Sequence, residues 1–171
     1  MRKIPLALLV VLVNLALLGC SSSLTLQRSA APLETKMGPL KTGAYAVVNS
    51  PKQDGETYLA KTTRTFAPEG KLLKVSLDPV SFKNAYSFVE FSLGKVAGNK
   101  ISELKILLQG ENFSDGYVVQ DASKGGVLEC DGSVGHLTFK GVAESKITAM
   151  QEPVDLQFYF ELPPSLKEAC K

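Results

Sequence analysis

The sequence is poor in the side chains that most often carry chemistry. It has one histidine, three cysteines and no tryptophan among 171 residues. A zinc site needs several cysteine, histidine or carboxylate ligands close together, and after residue 20 the chain offers only His136, Cys130 and Cys170 as nitrogen or sulfur ligands. It has no Cys-x-x-Cys motif and no glycine-rich phosphate-binding loop. We therefore expect no metal, no cofactor and no enzymatic activity.

The one long apolar run lies at the N-terminus. Arg2 and Lys3 precede residues 4–18, in which only Pro5 and Asn14 interrupt the apolar side chains. A positive start, an apolar stretch too short for a comfortable permanent membrane span and small residues at its end are typical of an export signal. We predict a signal peptide over residues 1–19 and exclude it from the fold.

The end of this run carries a specific motif. Leu17, Leu18, Gly19 and Cys20 resemble the lipobox of bacterial lipoproteins, at the expected distance from Arg2 and Lys3. The resemblance implies a diacylglycerol on the Cys20 thiol, cleavage before Cys20 by the lipoprotein signal peptidase, and acylation of the new N-terminus. Because Ser21 stands where an aspartate would resemble an inner-membrane retention signal, we expect an anchor in the outer membrane of a two-membrane bacterial envelope.

Residues 20–42 have the composition of a tether. Serine, proline and glycine are scattered through them and no hydrophobic period is sustained. Some twenty flexible residues would have an end-to-end distance of about 25 Å, which predicts a domain held clear of the membrane. The alternative is that Leu24, Leu26 and Leu33 dock on the domain as an edge strand.

The charge of the exported chain argues against one class of partner. Removing Arg2 and Lys3 from the 19 basic side chains leaves 17, which balance the 17 acidic ones. Nucleic-acid binding depends on concentrated lysine and arginine. We therefore expect no nucleic-acid partner.

Residues 43–171 are predicted to form one mainly β domain. Short runs rich in β-branched and aromatic residues alternate with turn signals, and residues 154–162 alternate apolar and polar side chains. Residues 101–109 fit a helix or a strand, and we favour a strand; Asp131-Gly132 predicts a two-residue hairpin turn. Frequent short strands without long helices favour an antiparallel β-sandwich, with a small β-barrel as the alternative.

Cys130 and Cys170 remain once Cys20 is lipidated. An even pair in an exported protein favours a disulfide, although two free thiols remain an alternative. A nucleophilic dyad of Cys130 with His136 is disfavoured, because a two-residue turn would place these side chains on opposite faces of the sheet.

The sequence favours a lipid-anchored binding or assembly module with an envelope protein as partner. Two alternatives are a carrier of apolar ligands and an unrecognised envelope hydrolase. Glu152, Asp155 and Glu161 are interpreted as a solvated face of the last strand rather than as catalytic acids. The candidate partner anchors, each with core packing as the default role, are Tyr45, Tyr58, Tyr86, Tyr117 and Tyr159; the candidate cavity-lining residues are Phe82, Phe88, Phe91, Phe139, Phe158 and Phe160.

Overall fold

The computed structural model describes residues 23–40, 43–60, 73–81, 83–110, 116–119 and 122–171. The predicted signal peptide, Cys20 and Phe82 lie outside the described residues. The chain is mainly β, as predicted.

Eight antiparallel strands close into a barrel, the architecture that was the alternative to a sandwich. The barrel closes because β11 (Gly116–Val119) pairs on one side with β10 (Leu104–Gly110), through Val119 and Ile106, and on the other with β13 (Val134–Ser145), through Val119 and Ala143. In order around the barrel the strands are β11 (Gly116–Val119), β10 (Leu104–Gly110), β7 (Tyr86–Leu93), β6 (Leu73–Pro79), β5 (Gln53–Ala60), β4 (Ala44–Ser50), β14 (Gln151–Glu161) and β13 (Val134–Ser145).

Large side chains fill the inside of the barrel. Strand residues alternate between the two faces, and every second residue of β14 from Glu152 to Phe160 is buried. Phe91 of β7 packs between Phe158 and Phe160, with ring centroids 4.9 and 5.0 Å away. The strand predicted over residues 101–109 is found from Leu104 onward as β10, whose residues Leu104, Ile106 and Leu108 are buried in this core. Ile101 lies in a separate short strand.

A four-stranded extension leaves the barrel wall. β13 changes partner along its length. Its residues Gly135–Phe139 pair with β12 (Gly126–Cys130), and from Ala143 onward it pairs with β11. Beyond β12 follow β1 (Leu24–Arg28), which is parallel to it, then β9 (Lys100–Ile101) and β8 (Val96–Ala97). A separate small hairpin is formed by β2 (Glu34–Thr35) and β3 (Gly38–Pro39).

The position of β1 revises the predicted boundary between tether and domain. Leu24 and Leu26 are 1% and 5% exposed and belong to the same core cluster as the barrel interior. Burying two leucine side chains releases several kcal/mol, about 1.5–3 kcal/mol for each, which favours docking over a free tether. Docking is therefore observed for these two leucines, but β1 lies between β12 and β9 rather than at an edge of the sheet, and Leu33 is not part of it.

The C-terminal helix, Pro164–Ala169, is tied to the extension. Cys170 and Cys130 of β12 lie at disulfide distance, with Sγ atoms 2.04 Å apart, in agreement with the predicted bond. Leu166 of the helix is fully buried, and the Arg28 guanidinium donates to the carbonyl of Lys171 at 3.0 Å. We name this end of the barrel, where β4 begins and β14 ends, the Cys130 end.

The Asp131-Gly132 hairpin has a longer connection than predicted. Cys130 pairs with Gly135, and three residues rather than two, Asp131, Gly132 and Ser133, connect β12 to β13. The Asp131 carboxylate accepts the backbone N–H groups of Ser133 and Val134 at 2.8 Å each. It also accepts the N–H of Leu33 at 2.9 Å. An aspartate that captures nearby backbone donors in this way stabilises the wider turn.

Candidate functional site

The opposite end of the barrel carries a cluster of polar side chains from five separate places in the chain. We name it the Lys52 cluster; its members are Ser50 at the end of β4, Lys52 in the β4–β5 turn, Tyr86 at the start of β7, Tyr117 on β11 and Glu152 near the start of β14. We name this end of the barrel the Lys52 end.

Lys52 is the centre of the cluster. Its Nζ lies 2.9 Å from Oε1 of Glu152 and donates to Oη of Tyr117 at 2.6 Å. The hydroxyl of Tyr86 lies 3.4 Å from Oε2 of Glu152 and 3.3 Å from Oγ of Ser50. The Lys52 side chain is 41% exposed, whereas that of Glu152 is 11% exposed. Because β4 and β11 are not neighbours in the barrel, Lys52 connects strands across this end.

The pKa values of Lys52 and Tyr86 are both raised above their ordinary values. Burial acts to lower the pKa of Lys52, but its hydrogen bonds to Tyr117 and Glu152 and the Glu152 charge outweigh burial and raise the pKa above its usual value. Burial raises the pKa of Tyr86 to about 12, and the Glu152 carboxylate contributes to this rise. Both groups keep their protons at neutral pH, so the Lys52 ammonium stays paired with the Glu152 carboxylate. This ion pair forms a charged brace across the Lys52 end of the barrel.

Further hydrogen bonds fix the loop between β6 and β7 beside this brace. The carboxylate of Glu56 accepts the N–H of Ala85 at 3.0 Å, and the Asn84 side chain donates to the carbonyl of Thr57 at 2.8 Å. The hydroxyl of Tyr58 accepts the N–H of Tyr86 at 3.3 Å. The loop is thus attached to β5 by both side chains and backbone.

Two loops at the Lys52 end present large apolar side chains to solvent. Val80 in the β6–β7 loop is 55% exposed, and Ile147 and Met150 in the β13–β14 loop are 61% and 60% exposed. The buried hydroxyl of Ser145 organises the second loop by accepting the N–H groups of Ile147 and Thr148. Loops fixed on a rigid scaffold are common sites of binding. We name these three residues the rim residues.

Cys130 and His136 do not come together as a dyad. Cys130 is buried toward the core and paired with Cys170, whereas His136, six residues on, pairs in register with Glu129 and Tyr159 on the outer face. The His136 ring stacks on Tyr159 with centroids 4.1 Å apart, and Nδ1 lies 3.6 Å from a Glu129 carboxylate oxygen. The expected separation of the two side chains holds, although the turn between them is longer than expected.

The outer face around His136 is well packed. Burial lowers the pKa of His136, although the Glu129 charge opposes this. Its Nε2 is buried and has no hydrogen-bond partner within the described part of the chain. The His136 ring is thus held on one face by its stack on Tyr159 and at Nδ1 by the Glu129 carboxylate.

A groove of about 490 Å³ lies beside β13, at the point where its partner strand changes from β12 to β11. Its lining includes Lys124, Gly125, Phe139, Gly141 and Gln151. A Cβ atom on Gly141 would lie 2.5 Å from Cζ of Phe139, so glycine at this position makes room for the phenylalanine ring. One wall of the groove is therefore the ring of Phe139, which also belongs to the buried core.

Glu152 is the functional candidate that the sequence interpretation misplaced. The sequence interpretation places it on a solvated face together with Asp155 and Glu161. In the structure it is buried, on the same face of β14 as Val154 and Leu156. The alternation of β14, extended two residues before Val154, predicts this inward position. Among the tyrosines, Tyr58, Tyr86 and Tyr117 belong to the buried core cluster. Tyr45 and Tyr159 instead contact each other on the outer face of the barrel, with ring centroids 6.2 Å apart.

No family model, curated protein or solved structure matches the chain. Within the described ranges no helix is long and apolar enough to cross a membrane. The same part of the chain contains no group of three or more histidine, cysteine, aspartate or glutamate residues that could hold a metal ion.

Proposed function

We propose that the chain is a membrane-anchored envelope lipoprotein that acts as a non-catalytic binding or assembly module. The lipobox of Leu17, Leu18, Gly19 and Cys20 supports the anchor, and Ser21 supports its placement in the outer membrane. Two or more acyl chains anchor a protein stably, whereas one chain alone is marginal. The Cys130–Cys170 pair supports an oxidising compartment outside the cytoplasm.

The filled barrel interior is the observation that carries the binding role. Phe91, Phe158 and Phe160 are fully buried and pack against one another in the middle of the core. These rings occupy the space that the carrier alternative would assign to an apolar ligand. A partner would therefore bind the outer surface, and loops on a rigid scaffold are favoured for this.

The rim residues Val80, Ile147 and Met150 are the surface that we assign to the partner. Exposed apolar side chains at fixed loops are suited to a protein interface, which is typically apolar at its centre and polar at its rim. Lys52, whose side chain is 41% exposed, lies at the same end of the barrel with its charge paired to Glu152. An envelope protein with an exposed apolar patch would fit this surface.

The test is capture of partners from the native envelope after mild crosslinking, read by mass spectrometry. The wild-type chain is compared with Cys20→Ala, with the pair Ile147→Asp and Met150→Asp, and with Met37→Asp. Met37 is 70% exposed in the small β2–β3 hairpin and serves as the matched control. We expect one stoichiometric protein partner that the Ile147/Met150 variant loses and the Met37 variant keeps.

The other outcomes point elsewhere. Recovery of lipid without protein would favour the carrier. A partner captured equally by both surface variants would place the interface away from the rim residues. Recovery of neither lipid nor protein would contradict the binding role and turn attention to an envelope hydrolase.

A further inference from the structure

The connection between the proposed lipid anchor and the folded domain is very short. Only Ser21, Ser22 and Ser23 separate Cys20 from Leu24, the first residue of β1. Because an extended chain spans at most about 3.3–3.6 Å per residue, Cys20 lies within about 14 Å of Leu24. A bilayer that holds acyl chains on Cys20 therefore also holds Leu24 close to its head groups.

The register of β1 places Leu24 midway along the barrel. β1 runs parallel to β12 with Leu26 beside Leu128, so Leu24 is level with Gly126. Gly126 pairs in turn with Phe139, the sixth of the twelve residues of β13. Neither end of the barrel is therefore far from the anchor.

The rim residues of the β13–β14 loop lie within a fixed distance of Cys20. Arg28, the last residue of β1, lies beside Cys130, so the chain enters β1 from the side of the Lys52 end. Ser145 is six residues beyond the level of Leu24 and two strands across from β1. A rise of about 3.3 Å per residue and a strand spacing of about 4.8 Å put Ser145 roughly 22 Å from Leu24. Ile147 follows two residues later, so it stays within about 45 Å of Cys20 for any path of the connection.

The docked β1 keeps this distance short. Leu24 pairs with Ile101 of β9, and Leu26 pairs with Leu128 of β12. The N–H of Leu26 also donates to the carbonyl of Asn99 at 2.7 Å. The connection could lengthen only if β1 left the sheet, which would expose two leucine side chains that are 1% and 5% exposed.

The rim residues form a small apolar surface. Stable protein interfaces involve about 20–30 residues on each side, whereas Val80, Ile147 and Met150 are three exposed apolar side chains on two loops. A small surface binds best when its partner is already concentrated beside it. Confinement of both proteins at one membrane raises their effective concentration, as a short linker does between two binding modules.

The charges around the rim residues favour a protein over lipid as the occupant. Among the described residues at the Lys52 end, Asp54 and Asp78 are exposed, and so are Lys83 and Lys146. Anionic head groups attract clusters of lysine and arginine, and this mixture of signs is not such a cluster. A protein interface, with an apolar centre and a polar rim, fits the mixture better.

We infer that the partner of the rim residues is a protein embedded in the same membrane that holds the acyl chains of Cys20. The inference rests on the proposed function, because it requires both the anchor and a partner at Val80, Ile147 and Met150. The partner would present an apolar patch outside the bilayer, at a height that the short connection sets.

A photo-reactive residue in the rim tests the class of the partner. p-Benzoylphenylalanine replaces Ile147 in the full lipidated chain, and adducts are formed in the native envelope. The same residue in place of Glu168 is the matched control, since this side chain is 71% exposed at the Cys130 end. We expect a protein adduct from position 147 that stays in the membrane after alkaline carbonate extraction, and several-fold less of it from position 168. A protein adduct that carbonate extracts, or an adduct with phospholipid alone, would overturn the inference.

A linker variant tests the short connection. Twenty glycine and serine residues inserted between Ser22 and Ser23 add a mean end-to-end distance of about 25 Å. We expect the yield of the adduct from position 147 to fall several-fold, because the effective concentration falls as the linker lengthens. The same insert after Met37, in the β2–β3 hairpin, lies beyond β1 and should leave the yield unchanged. Equal yields from the two insertion variants would overturn the inference, because the short connection would then not bring the two proteins together.

The pattern of results separates this inference from the proposed function. Acyl mass on Cys20 that is absent from Cys20→Ser establishes the anchor. A chain without acyl mass, or without any protein adduct, would contradict both proposals. An acylated chain whose rim adduct is a protein that carbonate extracts would contradict the membrane-embedded partner alone.

Discussion

Glu152 is the residue that connects the Lys52 and Tyr86 side chains at the Lys52 end. Its carboxylate pairs with the Lys52 ammonium at 2.9 Å and lies 3.4 Å from the Tyr86 hydroxyl, while its own side chain is 11% exposed. A buried charged partner is costly to lose, because the groups left behind keep their desolvation penalty without a compensating bond. The single carboxylate therefore contributes more than an exposed ion pair would.

Replacing Glu152 by glutamine should lower the free energy of unfolding by about 1–3 kcal/mol, because the charge that pairs with Lys52 is lost. The exposed Glu161→Gln at the other end of β14 is the matched control and should change stability by less than about 0.5 kcal/mol. Urea unfolding at neutral pH measures both. Equal effects of the two variants would show that the cluster does not brace the barrel.

Tyr86 should make the fold sensitive to alkali. Its folded pKa is raised to about 12 from an ordinary value of 10. Between these values the unfolded state loses the tyrosine proton while the folded state keeps it, so stability falls as the pH rises from 10 to 12. Tyr86→Phe should flatten part of this fall. Unfolding curves at a series of alkaline pH values test this, and an unchanged slope in the variant would contradict it.

His136 should make the stability of the fold depend on pH in the acidic range. Burial holds its folded pKa below the ordinary value of 6.5, so the unfolded state takes up a proton first as the pH falls below 6.5, and stability decreases. His136→Phe can keep the stack on Tyr159 and removes the buried Nε2. The variant should lose this decrease below pH 6.5, which thermal unfolding at a series of acidic pH values measures. His136→Gln, which also cannot titrate, checks that the loss comes from the titration and not from the ring.

At the scale of elements, β1 is the strand that the sequence indicated least clearly. Its two inward residues, Leu24 and Leu26, are separated by a threonine and followed by Gln27 and Arg28, a pattern too short to distinguish from a linker. By contrast, apolar and polar side chains alternate over residues 154–162, which predicts most of β14. The docking of β1 depends on partners more than seventy positions later, which no local pattern encodes.

Leu26→Ala tests whether β1 belongs to the stable fold. The variant should lose about 2–4 kcal/mol of unfolding free energy, because a side chain 5% exposed is truncated in the core. Gln27→Ala, on the exposed face of the same strand, should be nearly neutral. Amide hydrogen exchange should accelerate at β9 and β12 in the Leu26 variant only. Slow exchange at both strands in that variant would mean that β1 is not needed to hold the extension.

The distinction between a sandwich and a barrel also lay beyond the local patterns. Both architectures are built from short antiparallel strands with one buried face. The barrel depends on β11 pairing with both β10 and β13, a choice of neighbours that alternation does not specify. The Lys52 cluster was unpredictable for the same reason, since its members come from four strands and a turn.

At the scale of the whole molecule, the Cys130–Cys170 pair joins the C-terminal helix to the extension. It closes a loop of 40 residues, for which the chain-entropy estimate is about 4 kcal/mol. The double variant Cys130→Ala and Cys170→Ala should lose about 2–4 kcal/mol of stability. Non-reducing mass analysis with thiol alkylation establishes whether the bond forms. A wild-type chain whose stability is the same with and without reductant would contradict its contribution.

The parallel pairing of β1 with β12 has a consequence for the order of folding. β1 is synthesised before its partners β9 and β12, so it cannot take its place between them until most of the chain has followed. The docking of β1 is therefore a late, long-range step, and it is the step that joins β9 and β8 to the rest of the sheet.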